Sequence, residues 1–271
     1  MRKFVQHRVA DRRILRLIQK GLKAGVMEEG EWLETEKGTP QGAVISHLLA
    51  NIYLHYVFDL WVHAWRRKHA RGDVVVVRYA DDTVLGFQVQ TEADRFREDL
   101  RERLRKFGLE LHPDKTRRIE FGRYAELNRK RRGEGKPETF DFLGFTHISG
   151  KNRRGYFTVK RQTIGPRLRK KLQELKQQLR QRRHEAVACT GKWLRSVVQG
   201  YFNYYAVPGN LDRLLTFRTR LIRLGQTQLR RRSQRHRLNG DRMGKFVERW
   251  LPVPHVLHPW PSVRFAAQHP S

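Results

Sequence analysis

Asp81 and Asp82 stand side by side in Tyr79-Ala80-Asp81-Asp82, between the apolar runs Val74 to Val77 and Thr83 to Phe87. Adjacent carboxylates at a packed turn repel one another and lose solvent, so a cation must offset the cost of keeping both ionised. Magnesium suits such a pair. It takes hard oxygen ligands and keeps several waters that substrate phosphates displace. Two ions of this kind clamp the attacking and leaving oxygens of a nucleotidyl transfer. For the tetrapeptide taken alone, a merely solvated acidic turn is the competing reading.

The flanking elements must place these carboxylates. Val74 to Val77 is a continuous β-branched run and reads as a strand buried on both faces. Thr83 to Phe87 follows so soon that Ala80, Asp81 and Asp82 must lie at or near a hairpin turn. Upstream, Ile14, Leu15, Leu17, Ile18 and Leu22 recur at helical spacing behind Asp11, which sits where an N-cap would. Met27 to Glu36 reads as a loop or edge hairpin, and Val44 to Arg67 as a long buried helix beginning near Ser46. Downstream come a helix from Thr91 to Phe107 closed by Gly108, and a short strand Leu109 to Leu111. This order gives an antiparallel α+β layer. Arg78 flanks the acidic turn and reads as structural, while Asp59 and Asp73 lie in helical and loop contexts without a partner motif.

Arg129 to Lys136 is charged, glycine-containing and without apolar period, which predicts an exposed loop. Phe140 to Phe145 and Gly155 to Val159 read as strands joined by the turn Gly150 to Arg154. From Pro166 the chain turns to long basic helices with an apolar stripe of Leu168, Leu172, Leu175 and Leu179, so a boundary is placed near residue 165. The last dozen residues read as a loosely held tail.

The net charge of +30 makes a polyanion the default partner. Residues 1–150 carry 29 Lys and Arg against 22 Asp and Glu, whereas residues 151–271 carry 28 against 5. The second half is therefore the stronger phosphate grip. No apolar run approaches the roughly 20 residues of a membrane span, and the N-terminus lacks a signal-peptide core, so a cytoplasmic protein is expected. One cysteine, Cys189, rules out an internal disulfide and zinc sites built from Cys pairs, and reads as a structural thiol.

Several segments fall in the order seen in reverse transcriptases encoded by group II introns. Gly38 to Ser46 reads GTPQGAVIS and continues into Asn51-Ile52-Tyr53-Leu54; Val77 to Phe87 holds the acidic turn; Gly108 to Thr116 reads GLELHPDKT; Phe140 to Gly144 reads FDFLG. The chain resembles that family. The resemblance implies an α+β fold, a polymerase palm with an antiparallel sheet followed by an α-helical thumb and a maturase region, divided as 1–165, 166–190 and 191–271. It implies Asp81 and Asp82 as catalytic metal ligands with Asp81 the direct one, Mg2+ as cofactor, and Pro40, Gln41, Gly42 and Lys115 at the incoming nucleotide. The stretch Arg167 to Arg183, with Arg167, Arg169, Lys170 and Lys171, resembles the thumb. Trp193-Leu194 and Gln199 to Tyr205 resemble the maturase region, with Arg195, Tyr201, Tyr204, Tyr205 and the patch Arg230, Arg231, Arg232 as nucleic-acid contacts. Aromatics so dense also belong to cores, and about two-thirds of them are expected inside. Trp250 and Trp260 are expected to anchor the end.

The implied partners are group II intron RNA, an RNA template with its DNA primer, and deoxynucleoside triphosphates, with no membrane. The family holds its metals with a further aspartate from a strand preceding the helix at Asp11. The chain as given starts after that point, so the expectation is a fragment that does not polymerise alone. Two alternatives stand beside it: a non-catalytic RNA-binding splicing cofactor, and a reverse transcriptase of another retroelement lineage.

Overall fold

The computed structural model describes residues 2–23, 26–28, 31–33, 44–152, 154–231 and 239–261, leaving aside the side chains of residues 2, 22–23, 26–28, 31–33 and 44–45. Two compact units, Met1–Arg117 and Arg118–Ser271, divide the chain.

In the first unit, α1 (Arg2–Gln6) precedes α2 (Arg12–Lys23). Asp11 caps α2 as its sequence context predicts: its Oδ1 accepts from the Arg13 N–H at 2.7 Å and its carbonyl from the Leu15 N–H at 3.1 Å. β1 (Val26–Glu28) and β2 (Glu31–Leu33) form the short hairpin left open by the sequence. The apolar run beyond residue 44 is helical but not one straight helix. α3 (Val44–Leu54) passes through a π turn (His55–Asp59), closed by an N–H of Leu60 on the carbonyl of His55, into α4 (Leu60–His69). Val57, Phe58, Val62 and Trp65 from this run are buried against Phe96, Leu100 and Leu104 of α5 (Gln90–Arg105). The Trp65 indole donates to Asp99 Oδ2 at 2.7 Å and the Tyr53 hydroxyl to the Phe107 carbonyl at 2.7 Å, satisfying the polar tips of that core.

β3 (Val74–Tyr79) and β4 (Asp82–Phe87) pair antiparallel. Only one face of β3 packs. Val74 is buried, but Val75 is 61% and Val77 45% exposed, which corrects the expectation of a strand covered on both sides. Among the described residues the ribbon has two strands, and the helices cover its Val76, Leu85 and Phe87 side alone. Leu109 to Leu111 is not a strand either. With no ladder partner among the described residues, Leu109 and Leu111 pack as an extended segment on the same core.

The second unit begins with α6 (Ala125–Arg131), so the stretch expected as a loop from Arg129 starts inside a helix. Arg132 then bonds Glu120 and Glu134, and Asn128 donates to Glu120 at 2.8 Å. These local ion pairs give the charged segment order that an apolar period would not reveal. β5 (Phe140–Phe142), β6 (Phe145–Lys151) and β7 (Phe157–Thr163) make an antiparallel sheet in that order. The FDFLG segment is thus a strand plus a turn: Leu143 and Gly144 both take positive φ, 47° and 81°, the pattern of a tight two-residue hairpin.

α7 (Gly165–Gln181) begins where the sequence changes character, and its Leu168, Leu172, Leu175 and Leu179 are all buried. They share one core with α8 (Val187–Tyr205), α9 (Leu211–Arg230) and α10 (Gly240–Trp250), through Leu194, Val198, Phe202, Leu214, Phe217, Leu221, Phe246 and Trp250. The described residues of 166–190 and of 191–271 therefore meet in a common interior. Trp250 anchors α10 as expected, but Trp260 is 55% exposed and does not. Cys189 is exposed too, correcting its reading as a structural thiol. No helix among the described residues is long and apolar enough to cross a membrane.

Candidate active site

Register decides where the two aspartates fall. Tyr79 pairs with Asp82 and Arg78 with Thr83, leaving Ala80 and Asp81 as the two turn residues. Asp82 is thus the first residue of β4, on the open face with Tyr79, while Asp81 occupies the tip. Both carboxylates are exposed. Their non-equivalence follows from the turn itself, because one side chain belongs to a loop position and the other to a strand face.

The turn is not relaxed. Ala80 has φ +54°, a left-handed conformation that costs a residue with a Cβ about 1 kcal/mol or more. Arg78 lies on the packed face and compensates: its Nη1 donates to the Ala80 carbonyl at 2.8 Å. The same guanidinium is held by the helix beneath. Nε donates to Asp59 Oδ1 at 2.7 Å and Nη2 to Asp59 Oδ2 at 2.6 Å, the parallel fork that arginine makes with a carboxylate. Nη1 also donates to Asn51 Oδ1 at 3.0 Å, and His55 Nδ1 lies 3.5 Å from Asp59 Oδ2. Hydrogen bonding to Asp59 raises the Arg78 pKa above its ordinary value against a smaller opposing effect of burial, so the guanidinium stays charged.

The sequence marks Arg78 as structural and gives Asp59 no partner, so their joint bracing of the turn is new with the structure. A signal was present: Asn51, His55 and Asp59 are spaced by four, one helical face, beneath an arginine that adjoins the acidic turn.

Asp81 and Asp82 fit a divalent cation in donor type. They offer exposed carboxylate oxygens, and the neighbouring cation Arg78 is committed to Asp59 instead. Their number is limited. Among the described residues no group of three or more Asp, Glu, His or Cys gathers as a metal cage, so any other ligands would be water and substrate oxygens, or carboxylates from outside these residues.

The other predicted site residues scatter. Pro40, Gln41 and Gly42 lie outside the described residues. Lys115 is exposed in a turn closed by the Thr116 N–H on the His112 carbonyl at 2.9 Å. In the second unit Arg167, Arg169 and Lys170 are exposed on α7, and Lys171 lies 3.5 Å from Glu174. Arg195, Arg230 and Arg231 are exposed, and Arg232 is outside the described residues. Tyr201 corrects the expectation of a stacking platform: it is 9% exposed and stacks on Phe217 at 4.0 Å between ring centres, and burial pushes its hydroxyl pKa up. Tyr205 is half-buried against Tyr201 and Phe145. Tyr204 is 52% exposed, stacks on Phe145 and donates to the Leu143 carbonyl at 2.8 Å. The aromatic run is therefore divided: Tyr201 and Phe202 belong to the helical core, as its density suggested, while Tyr204 and Tyr205 pack on Phe145 of β6.

A family model for reverse transcriptase (RNA-dependent DNA polymerase) matches residues 2–147. The chain is 34% identical over 145 residues to protein YkfC of Escherichia coli strain K12, covering 42% of this chain and 37% of that protein. It is 28% identical over 126 residues to an uncharacterized 91 kDa protein in the cob intron of Schizosaccharomyces pombe, covering 44% and 15%. Over 48 residues it is 50% identical to the group II intron-encoded protein LtrA of Lactococcus lactis subsp. cremoris, covering 18% and 8%. The chain spans well under half the length of each of these relatives. The hairpin with its exposed carboxylates lies inside the matched segment, which takes in more than half of the residues, and the chain belongs to the reverse transcriptase (RNA-dependent DNA polymerase) family.

Proposed function

We propose that this chain carries the catalytic carboxylates of an RNA-directed DNA polymerase of group II intron type, joined to a basic RNA-binding maturase region. The observation that carries the reading is the β3–β4 turn, which presents Asp81 and Asp82 to solvent on a braced hairpin inside the matched segment. The family works with a divalent metal on nucleic acid and deoxynucleoside triphosphates, and magnesium is the ion this hard-oxygen pair suits. When bound, such an ion would polarise phosphate oxygens and favour the attacking alkoxide. Asp81, at the tip, is the direct ligand in this reading, and Asp82 completes the anionic edge from the strand. Lys115, with Pro40, Gln41 and Gly42, serves the incoming triphosphate.

Residues 166–190 and 191–271 act in this reading as thumb and maturase region. The support is chemical: residues 151–271 carry 28 basic against 5 acidic side chains, and the α7 cations stand outside its buried leucine stripe. Intron RNA and a primer on an RNA template are the partners that such a surface and the likeness to intron-encoded proteins favour, in a cytoplasmic setting.

Primer extension on an RNA template, with this chain alone and with the segments that relatives carry beyond it, tests the polymerase. Synthesis that Asp81→Asn abolishes, with RNA affinity intact, is the expected result for the assembled enzyme. The chain alone is expected to be silent, because its described residues gather no third carboxylate beside the pair. That same shortage favours the second reading, a non-catalytic RNA-binding splicing cofactor. An assembled protein that splices intron RNA equally well with Asp81→Asn, and extends no primer, decides for the cofactor.

A further inference from the structure

Arg78 does more than fill space under the hairpin. A single guanidinium makes four hydrogen bonds of 2.6 to 3.0 Å: two to Asp59, one to Asn51 and one to the backbone carbonyl of Ala80. Its side chain is 14% exposed and that of Asp59 32%. Two features show that the arrangement is specific. Residues 51 and 59 of a regular α-helix lie about 12 Å apart along its axis, and a single guanidinium bridges their two side chains here. The run that carries them includes the π turn His55–Asp59, closed from Leu60 to His55, and both side chains converge on Arg78. Such turns cost helical regularity and gather at functional sites. The second feature is the receiving group, since Ala80 is the residue in the left-handed region, one position before Asp81.

We propose that Arg78 and Asp59 are positioning residues for Asp81: the carboxylate of Asp59 fixes the guanidinium, and the guanidinium holds the Ala80 carbonyl so that the strained turn keeps the Asp81 carboxylate at its metal-binding orientation. This rests on the reading of Asp81 as a ligand for a divalent cation. Asn51, from the same helical run, limits the rotation of the same guanidinium.

Charge and positioning predict opposite signs. Arg78 is a cation next to a cation site, so by electrostatics alone its removal tightens binding of a divalent ion. As a positioning residue its removal weakens binding, by about tenfold or more, the usual scale for groups that orient a metal ligand. The full chain is titrated with Mn2+, and free ion is followed by electron paramagnetic resonance, for the wild type, Asp81→Asn, Arg78→Met, Arg78→Lys, Asp59→Asn and the double variant Arg78→Met/Asp59→Asn. Circular dichroism and thermal melting establish that each variant is folded.

The expected pattern is a wild-type site that Asp81→Asn removes, weakened about tenfold or more by Arg78→Met. Arg78→Lys keeps the charge but cannot span the fork and the Ala80 carbonyl together, so it is expected to lose nearly as much. The Arg78→Met/Asp59→Asn double variant should be no worse than Arg78→Met, because the two act as one unit. If Arg78→Met does not fold, Arg78→Lys carries the comparison. A folded Arg78→Met or Arg78→Lys chain that binds Mn2+ as tightly as wild type, or more tightly, overturns the proposal while leaving the Asp81 site standing. A wild-type chain with no Asp81-dependent Mn2+ site overturns the underlying reading and the proposal together.

Discussion

Asn210 is 0% exposed and offers a sharp test of how the second unit is held together. Its Oδ1 accepts from the Thr163 backbone N–H at 2.8 Å, and its Nδ2 donates to Thr163 Oγ1 and to the Tyr205 carbonyl, each at 2.8 Å. One side chain thereby ties the end of β7 to the end of α8 at the start of α9. Asn210→Ala strips the partner from a buried backbone N–H, worth about 1 to 3 kcal/mol, and removes a donor from two acceptors. A total near 3 kcal/mol is expected, corresponding to roughly 6 to 12 °C in melting temperature for a unit of this size. Urea unfolding followed by fluorescence of Trp193 and Trp250, which belong to the same core, reads the change as a lower midpoint at unchanged slope. Asn210→Asp adds a test of sign. It keeps the shape and an acceptor for Thr163, but sets a carboxylate against the Tyr205 carbonyl in a buried place. The folded-state pKa of that Asp must then exceed its unfolded value, so stability is greatest at low pH and falls as pH rises through the folded pKa. A loss below about 1 kcal/mol in Asn210→Ala, or an Asp variant as stable at pH 7 as at pH 4, would refute the account of this network.

Gly191→Ala places a Cβ 2.6 Å from the Trp250 indole and should cost about 1 to 3 kcal/mol, whereas Gly200→Ala in the same helix meets nothing within 4 Å and should gain up to about 1 kcal/mol. Paired thermal melts with shifts of one sign would contradict that packing. Burial holds the His147 imidazole pKa below 6.5, with Arg161 adding to the effect, while its ring stacks on Phe140 at 4.7 Å. A depressed pKa means the unfolded chain binds the proton more readily, so stability falls as pH drops from the unfolded value through the folded one. His147→Phe, which keeps the stack, should flatten stability against pH over that window, and an unchanged slope would show that another group is responsible. Intron-type RNA should bind with log affinity falling by about 0.7 per log salt for each phosphate neutralised, and Arg167→Ala, Arg169→Ala and Lys170→Ala should each reduce that slope; equal slopes in filter binding across a salt series would remove α7 from the contact surface.

The leucine stripe of α7 and the capping role of Asp11 were legible because each rests on spacing or chemistry local to one element. The placement of Asp81 at a turn was legible too, since two strand-like runs with so few residues between them leave no other geometry. What escaped was set by partners distant in sequence. The run Val74 to Val77 looks doubly buried by composition, yet burial depends on what covers the second face, and there Val75 and Val77 are exposed. The π turn has no composition of its own; it appears where Asn51 and Asp59 meet an arginine 27 and 19 residues on. Order in the charged segment after Arg129 likewise comes from ion pairs of Arg132 with Glu120 and Glu134, which no apolar pattern marks. Tyr201 and Tyr204 are three residues apart and of one type, but only packing against Phe217 puts one inside while the other stays half exposed.

The sign of charge around the hairpin gives the proposed division of labour a physical basis. The chain as a whole carries +30, yet its acidic turn is an anionic point, because Arg78, the cation beside it, is neutralised by Asp59. A polyanion is therefore drawn to the protein by the field of the basic region and repelled at the turn. A divalent cation held by the two carboxylates cancels their charge and so removes that repulsion. Binding of RNA to the basic helices should then be independent of divalent metal beyond ordinary screening, whereas approach of a primer end or a triphosphate to Asp81 requires it. Bracing the turn through a neutral Arg78–Asp59 pair keeps this arrangement intact: a positioning group with uncompensated positive charge would hold the Ala80 carbonyl equally well but weaken the attraction of Asp81 and Asp82 for the ion.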